Sequence, residues 1–349
     1  MTPKSEAELA DIVATTKEPL EIIGGGSRRG LGKSVTGEPL NITGLSGITL
    51  YNPGALTLVA GAGTPLKDIE TVLDAKGQML PFEPINHATL LGNSGCATLG
   101  GMVAVNASGP RRIKAGACRD SLIGVRFVDG MGQIIKNGGR VMKNVTGYDL
   151  VKLMAGAQGT LGVITEIALK LLPKPETSMT LRFDLPPEAA LRKLRQAMAS
   201  PFDVSAAAYV NGGALLRIEG FEDSVKYRAG KLGGDQVEGS WADIRDATAL
   251  ADAANIWRLS IKPSDAFSVI TDLHAQGFST PVIDWSGGLI WASIDAFSAA
   301  PRMVPQRQMI CIRGASGGGP SAAPALAAIA KGLRAKFDPR AILNRGRMG

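Results

Sequence analysis

The feature that most constrains this 349-residue chain is where its glycines fall. There are 44, and 27 of them lie within residues 1–176. Glycine serves where the backbone turns tightly or where another group must approach it closely, so the first half must be threaded by such places. Three segments concentrate them. Gly24-Gly-Gly-Ser-Arg-Arg-Gly-Leu-Gly-Lys-Ser34 follows the short strand predicted for Leu20–Ile23, and consecutive small residues there let backbone N–H groups converge on an anion. It is not a P-loop, because Ser27 stands where the first glycine of G-x-x-x-x-G-K-S belongs, and Arg29 breaks G-x-G-x-x-G when read from Gly24. Ala97-Thr-Leu-Gly-Gly-Met-Val-Ala-Val-Asn-Ala-Ser-Gly-Pro110 places Gly100-Gly101 among apolar residues and offers the Asn106 and Ser108 side chains as hydrogen-bonding groups. Gly159-Thr-Leu-Gly-Val-Ile-Thr-Glu166 brings small residues into a strand. Each segment taken singly also reads as a plain turn or loop.

Composition narrows the possibilities. Hydrophobic residues make up 45% of the chain, enough for packed cores, and the length suits two domains. No apolar run approaches the about 18 residues of a membrane helix, and charges fall within Met1–Ala10 where a signal peptide would be apolar. Three cysteines, Cys96, Cys118 and Cys311, form no CxxC pair, and the histidines number two, His87 and His274; no metal site is expected, and an iron–sulfur cluster held by this chain alone is disfavoured. Net charge is +7 with only 5% aromatics, so an anionic small ligand explains the basic balance better than nucleic acid does.

Along the chain, a helix is expected over Ser5–Thr16, with Ser5 and Glu8 as a capping box. A strand Leu56–Ala60 leads to a helix capped by Thr64, with Leu66, Ile69, Val72 and Leu73 facing inward. A glycine-rich loop then runs from Pro81 to Gly109. A hairpin (Leu122–Val128, Gln133–Lys136), a short helix near Asp149–Ala155 and a strand Val163–Leu172 close the first half, with Pro173-Lys-Pro175 as a boundary. The second half alternates strands, hairpins at Asn211-Gly212 and Ser286-Gly-Gly288, and helices Glu188–Ala199, Glu222–Lys231, Asp265–Gln276 and Pro324–Phe337. This pattern predicts an antiparallel sheet with helices on one face. A small-residue tract covers Gly314–Ala323.

Taken together and in order, the three glycine segments resemble the flavin-binding half of the vanillyl-alcohol-oxidase, or PCMH-type, FAD-binding family, over residues 1 to about 175. With Gly138-Gly-Arg-Val-Met-Lys-Asn-Val-Thr-Gly-Tyr-Asp149, Arg119-Asp120 and the terminal Asn344-Arg-Gly-Arg-Met348, the chain is similar, over nearly its whole length, to the FAD-binding subunits of bacterial glycolate oxidases. The resemblance implies an α+β fold. A two-lobed PCMH-type FAD-binding domain spans 1–175 (lobes of about 1–50 and 51–175), a cap domain with an antiparallel sheet spans 176–335, and a tail, 336–349, returns to the FAD domain. It implies FAD cradled by Gly24, Gly25, Gly26, Ser27 and Arg28, lined by Thr98, Gly100, Gly101, Asn106 and Ser108, and met by Gly162, Val163 and Ile164. The loop 22–34 holds neither histidine nor cysteine, so a covalent flavin tether is not expected there and the FAD should be non-covalent.

The implied activity is that of an FAD-dependent oxidoreductase, a subunit of a glycolate (2-hydroxy-acid) oxidase or dehydrogenase complex. Its implied partners are a larger FAD-containing catalytic subunit and an iron–sulfur subunit, and its implied location is cytoplasmic or peripheral at the inner membrane through those partners. The catalytic base stays unassigned. His274 lies on an amphipathic helix, where a histidine is ordinarily a surface residue, and His87 lies in a loop. Arg258, in Asn255-Ile-Trp-Arg258, is the candidate for holding a substrate carboxylate, since a guanidinium can bind one bidentately. A free-standing FAD enzyme acting on another alcohol, 2-hydroxy acid or sugar is the rival reading.

Overall fold

Ser5 caps the first helix, Glu6–Thr15, its hydroxyl accepting from Glu8 N at 3.1 Å. Only half of the expected box forms, because Glu8 accepts from the N–H of Lys4 at 2.7 Å. This helix opens a computed structural model that describes residues 1–139, 147–295, 309–314 and 324–348. Arg140–Thr146 of the run Gly138–Asp149, Gln308, and the part of the small-residue tract after Gly314 that reaches Ala323 lie outside the described residues.

The chain divides into two units, Met1–Ala107 with Gly116–Pro173 and Ser321–Gly349, and Ser108–Ala115 with Lys174–Pro320. The first unit holds two sheets that matter for the site. Strand Leu20–Ile23 pairs in parallel with Glu38–Asn41. A five-stranded antiparallel sheet runs in the order Ile48–Asn52, Thr57–Gly61, Val163–Lys170, Leu122–Val128, Ile134–Gly138. The helix after Thr57–Gly61 starts at Leu66, one turn-residue later than expected: Pro65 occupies the N-cap, while the Thr64 hydroxyl donates to Gly61 O at 2.7 Å. Leu66, Ile69 and Leu73 are buried, but Val72 is exposed, because the 3.6-residue period places it at the margin of the stripe they define. Within the segment read as a loop from Pro81 to Gly109, two short helices form, His87–Leu91 and Leu99–Ala104. Asn86 and Thr98 cap them through their side chains; at five and six residues, neither is long enough to show a periodic pattern.

The second unit is built on an eight-stranded sheet in the order Asp235–Val237, Thr177–Asp184, Gly213–Gly220, Val204–Val210, Ser279–Asp284, Leu289–Ile294, Asn255–Ser260, Met309–Arg313, every neighbouring pair antiparallel. Helices Pro187–Met198, Glu222–Leu232 and Ala266–Ala275 bury Leu191, Leu194, Val225 and Ile270 in one core with Leu216, Trp257 and Ile290. The Asn211-Gly212 hairpin turns with both residues at positive φ, 51° and 75°, as a two-residue turn matched to strand twist requires. Helix Pro324–Phe337 lies in the portion of chain assigned to the first unit, and the eight-residue segment Ser108–Ala115 belongs to the second. No helix among the described residues is long and apolar enough to cross a membrane.

Candidate cofactor site

The strand Leu20–Ile23 delivers the chain into Gly24-Gly-Gly, where space decides the residue type. A Cβ on Gly25 would stand 2.1 Å from the carbonyl oxygen of Cys96, and one on Gly24 would stand 2.5 Å from Thr98 Oγ1. The two segments are zipped together: Cys96 N donates to Gly25 O at 2.7 Å, and Gly26 bridges Cys96 in parallel register. From the other side, Gly100 N donates to Ala62 O at 2.7 Å and Leu99 N to Thr64 O at 2.9 Å. A Cβ on Gly100 would meet that of Ala62 at 2.7 Å. Backbones packed this closely exclude side chains from a stretch of wall, so the surface they present is main chain.

These segments line a cleft in the first unit that is open to solvent. Gly24, Gly25, Gly26, Ser27, Arg28, Thr98, Gly100, Gly101, Gly162 and Ile164, all singled out from the sequence, come together around it. Asn106, Ser108 and Val163 are not on its lining. Asn106 turns at φ 50°, and its side-chain oxygen accepts from Arg119 N at 2.9 Å, so it holds two parts of the backbone together. Ser108 falls in the second unit. Val163 is one strand position from Gly162 and Ile164, and successive residues of a strand face opposite sides.

Arg28 is the most deeply buried cation of this cleft. Its Nη1 donates to Ser27 Oγ at 3.3 Å and its Nη2 to Ile85 O at 3.2 Å, while its Nε is buried without an acceptor. Burial lowers the guanidinium to about 10. The nearby Cys118 is pushed up to about 12 by burial, so it remains a thiol and supplies no negative charge. A buried cation to which no carboxylate among the described residues is bonded, beside a wall of bare main chain, is electrostatically incomplete. The diphosphate of a dinucleotide would complete it, supplying oxygens to Arg28 and to the backbone of Gly24–Ser27. The residues present therefore fit FAD.

Further lining residues had no signal in the sequence. Glu21 is buried and bound bidentately by Arg29, at 3.1 and 2.7 Å. Gln158, Asn344 and Arg347 also face the cleft. Asn344 and Arg347 sit in the terminal run that carried part of the family resemblance, but nothing local in that run names a role for them.

In the second unit, Arg258 lies on Asn255–Ser260, a strand absent from the sequence reading because its four-residue core has no clear alternation. Its guanidinium carbon is 5.2 Å from the centre of the Trp285 ring, and that of Arg112 is 4.6 Å from the same ring. Burial lowers Arg258 to about 10, the like charge of Arg112 adds to this, and Asp284 acts against it. Trp285 is fixed in a turn at φ 53°, with its Nε1 donating to Gly109 O at 3.0 Å. His274 is exposed and bonds Thr280 Oγ1 at 2.8 Å; His87 is buried in the first unit. Among the described residues, no group of three or more His, Cys, Asp and Glu is placed to hold a metal ion.

Main-chain loops zipped around a cleft with a buried guanidinium, in an α+β fold carrying a large antiparallel sheet, define a PCMH-type FAD-binding flavoprotein. Residues 1–138 match the FAD binding domain model. The fold matches the solved structure of an alkyldihydroxyacetonephosphate synthase at TM-score 0.68 and 15% identity, covering 99% of this chain and 75% of that one. Glycolate oxidase subunit GlcE of Escherichia coli is 37% identical over 339 residues, 95% of this chain and 93% of that protein. Glycolate oxidase subunit GlcD of Bacillus subtilis is 39% identical over 126 residues, 36% of this chain and 25% of that protein. D-lactate dehydrogenase of Anaerostipes hadrus is 33% identical over 51% of this chain and 37% of that protein. The chain belongs to the family of glycolate oxidase subunit GlcE, within the FAD-dependent oxidoreductases.

Proposed function

We propose that this chain is the FAD-binding subunit of a complex that oxidises glycolate or a related 2-hydroxy acid, and that it works with a larger FAD-containing subunit and an iron–sulfur subunit in the cytoplasm. The observation that carries the reading is the near full-length similarity to GlcE, joined to a cleft whose Arg28 has a buried Nε with no hydrogen-bond partner among the described residues. When bound, FAD supplies two-electron acceptance and the ability to pass electrons on singly. The residues of the chain hold it: Gly24–Ser27 present main chain, Thr98 braces Gly101 N through its hydroxyl at 3.3 Å, and Arg28 supplies charge. The site residues Gly24, Gly25, Gly26, Ser27, Arg28, Thr98, Gly100, Gly101, Gly162 and Ile164 are proposed cofactor contacts on this basis. The FAD is held non-covalently: the cleft-lining residues include neither cysteine nor histidine, and Cys118 is buried with a raised pKa.

In this reading the chain relays electrons or supports assembly, while the partner carries out the oxidation. The isolated chain loaded with FAD, mixed anaerobically with glycolate, is expected to stay yellow over minutes and to bleach when the partner subunits are added. A second reading, in which this chain oxidises the acid itself, is favoured by Arg258, which has an indole and a second guanidinium beside it and no hydrogen-bond acceptor among the described residues. Rapid bleaching by the isolated chain, abolished in Arg258→Gln, would replace the first reading with the second.

A further inference from the structure

The C-terminal segment is tied into the first unit by side-chain and backbone hydrogen bonds from several of its residues. Arg340 donates to the carbonyls of Val13, Ala14, Thr16 and Gly130, and so caps the first helix. Asp338 accepts from Leu343 N at 2.8 Å. Leu20 N then donates to Ile342 O at 2.7 Å, and Asn344 N to Leu20 O at 3.0 Å. This places Asn344 alongside the strand that enters the Gly24–Gly26 loop.

Asn344 joins two walls of the cleft. Its Oδ1 accepts from Ile22 N at 2.8 Å and its Nδ2 donates to Gln158 O at 2.8 Å, while its own backbone stands at φ 41°, a conformation asparagine tolerates better than most residues. The fit is close: a Cβ on Gly159 would be 2.7 Å from Asn344 Nδ2. Arg347 then crosses the phosphate-side loop. Its Nη1 donates to Leu31 O at 2.9 Å, and its carbonyl accepts from Lys33 N at 3.2 Å. Its Nε and Nη2 have no hydrogen-bond partner among the described residues. Glu21, the carboxylate on the same lining, has both oxygens taken by Arg29. Burial lowers the Arg347 guanidinium, with Glu21 acting against this and Arg29 adding to it. Arg347 thus brings to the cleft a positive charge held through the Leu31 carbonyl, with Glu21 nearby but no carboxylate among the described residues bonded to it.

We infer that Asn344–Met348 is a clasp forming a third wall of the cofactor cleft, and that Arg347 donates from it to the anionic portion of FAD as a second guanidinium beside Arg28. Asn344 keeps the Leu20–Gly26 and Gly156–Gly162 segments in register, and Arg347 fastens the chain end over Leu31 and Lys33 while leaving two donors for the ligand. The inference rests on FAD occupying this cleft and adds residues to the site that no local motif marks.

The test is a titration of the full-length, flavin-stripped chain with FAD, followed by quenching of flavin fluorescence. Arg347→Gln is expected to weaken FAD binding by about tenfold or more, as for loss of a charge-assisted hydrogen bond. Arg347→Lys should recover most of the affinity, and both variants should stay folded without flavin, with a melting transition as cooperative as that of the unmodified chain. Arg347→Gln binding within about twofold of the unmodified chain, well short of the tenfold that one such bond is worth, would overturn the inference. So would a Lys variant as weak as the Gln variant, which would make the role purely structural. An unmodified chain that takes up no FAD would overturn the cofactor assignment as well, which separates the two failures.

Discussion

At Gly25 a single atom decides the outcome. The missing Cβ would fall 2.1 Å from the Cys96 carbonyl, and both partners are main chain tied by a 2.7 Å hydrogen bond, so neither can swing aside. Gly25→Ala should therefore push the two loops apart and lower FAD affinity by at least tenfold, as loss of a preorganised set of contacts implies. Gly139→Ala, at a glycine with nothing within 4 Å of the added carbon, should bind FAD as the unmodified chain does; parallel titrations of the two variants check this. The thiols differ as sharply. Cys96 is exposed, Cys311 is buried, and Cys118 is buried and raised to about 12. One thiol, Cys96, should react quickly with a disulfide reagent at pH 8 in the folded protein and all three in denaturant; rapid modification of Cys118 in the folded state would contradict the packing around Arg28.

Elements are held by a few charged contacts whose effect depends on pH. The first helix is pinned to the strand Leu122–Val128 through Glu6, which accepts from Arg126 and, at 2.5 Å, from Thr165 Oγ1. Burial acts to raise the Glu6 carboxyl, but the hydrogen bonds from Arg126 and Thr165 outweigh it and hold the group below its usual value. A carboxyl depressed in the folded state adds stability that is complete above its unfolded pKa and fades as pH falls through the folded one. Glu6→Gln should thus be less stable than the unmodified chain by about 1 kcal/mol at pH 7, a modest figure because the pair is partly solvated. The gap should begin to shrink below about pH 4, the unfolded pKa of a glutamate, and close only once the pH has passed below the depressed folded value; urea unfolding across that range measures it, and a constant gap would contradict it. How far elements could be read from sequence follows from their length. The helix at Glu6–Thr15 and the Asn211-Gly212 hairpin carry their own local signals. The helices His87–Leu91 and Leu99–Ala104 are set by single capping side chains inside a glycine-rich stretch, too short for any periodicity to declare them.

At the scale of the molecule, the site is legible where one stretch of chain makes it and hidden where distant stretches meet. The glycine loops at 24–28 and 98–101 announce themselves through Gly24, Gly25 and Gly100, where crowding leaves no room for a Cβ. Asn344 and Arg347 reach the same cleft from more than 300 residues away along the chain, and nothing near them in sequence records the hydrogen bonds that place them. Ser108 shows how little a loop reading says about packing: it continues a cofactor-like loop in sequence, yet it belongs to the second unit. The measurement closest to the central claim is the absorption spectrum of the purified chain, before and after acid precipitation. The account predicts the two bands of oxidised flavin in the native protein, with all of the yellow colour left in the acid supernatant as FAD. A colourless chain that takes up no added FAD would contradict it, as would colour that stays with the precipitated protein.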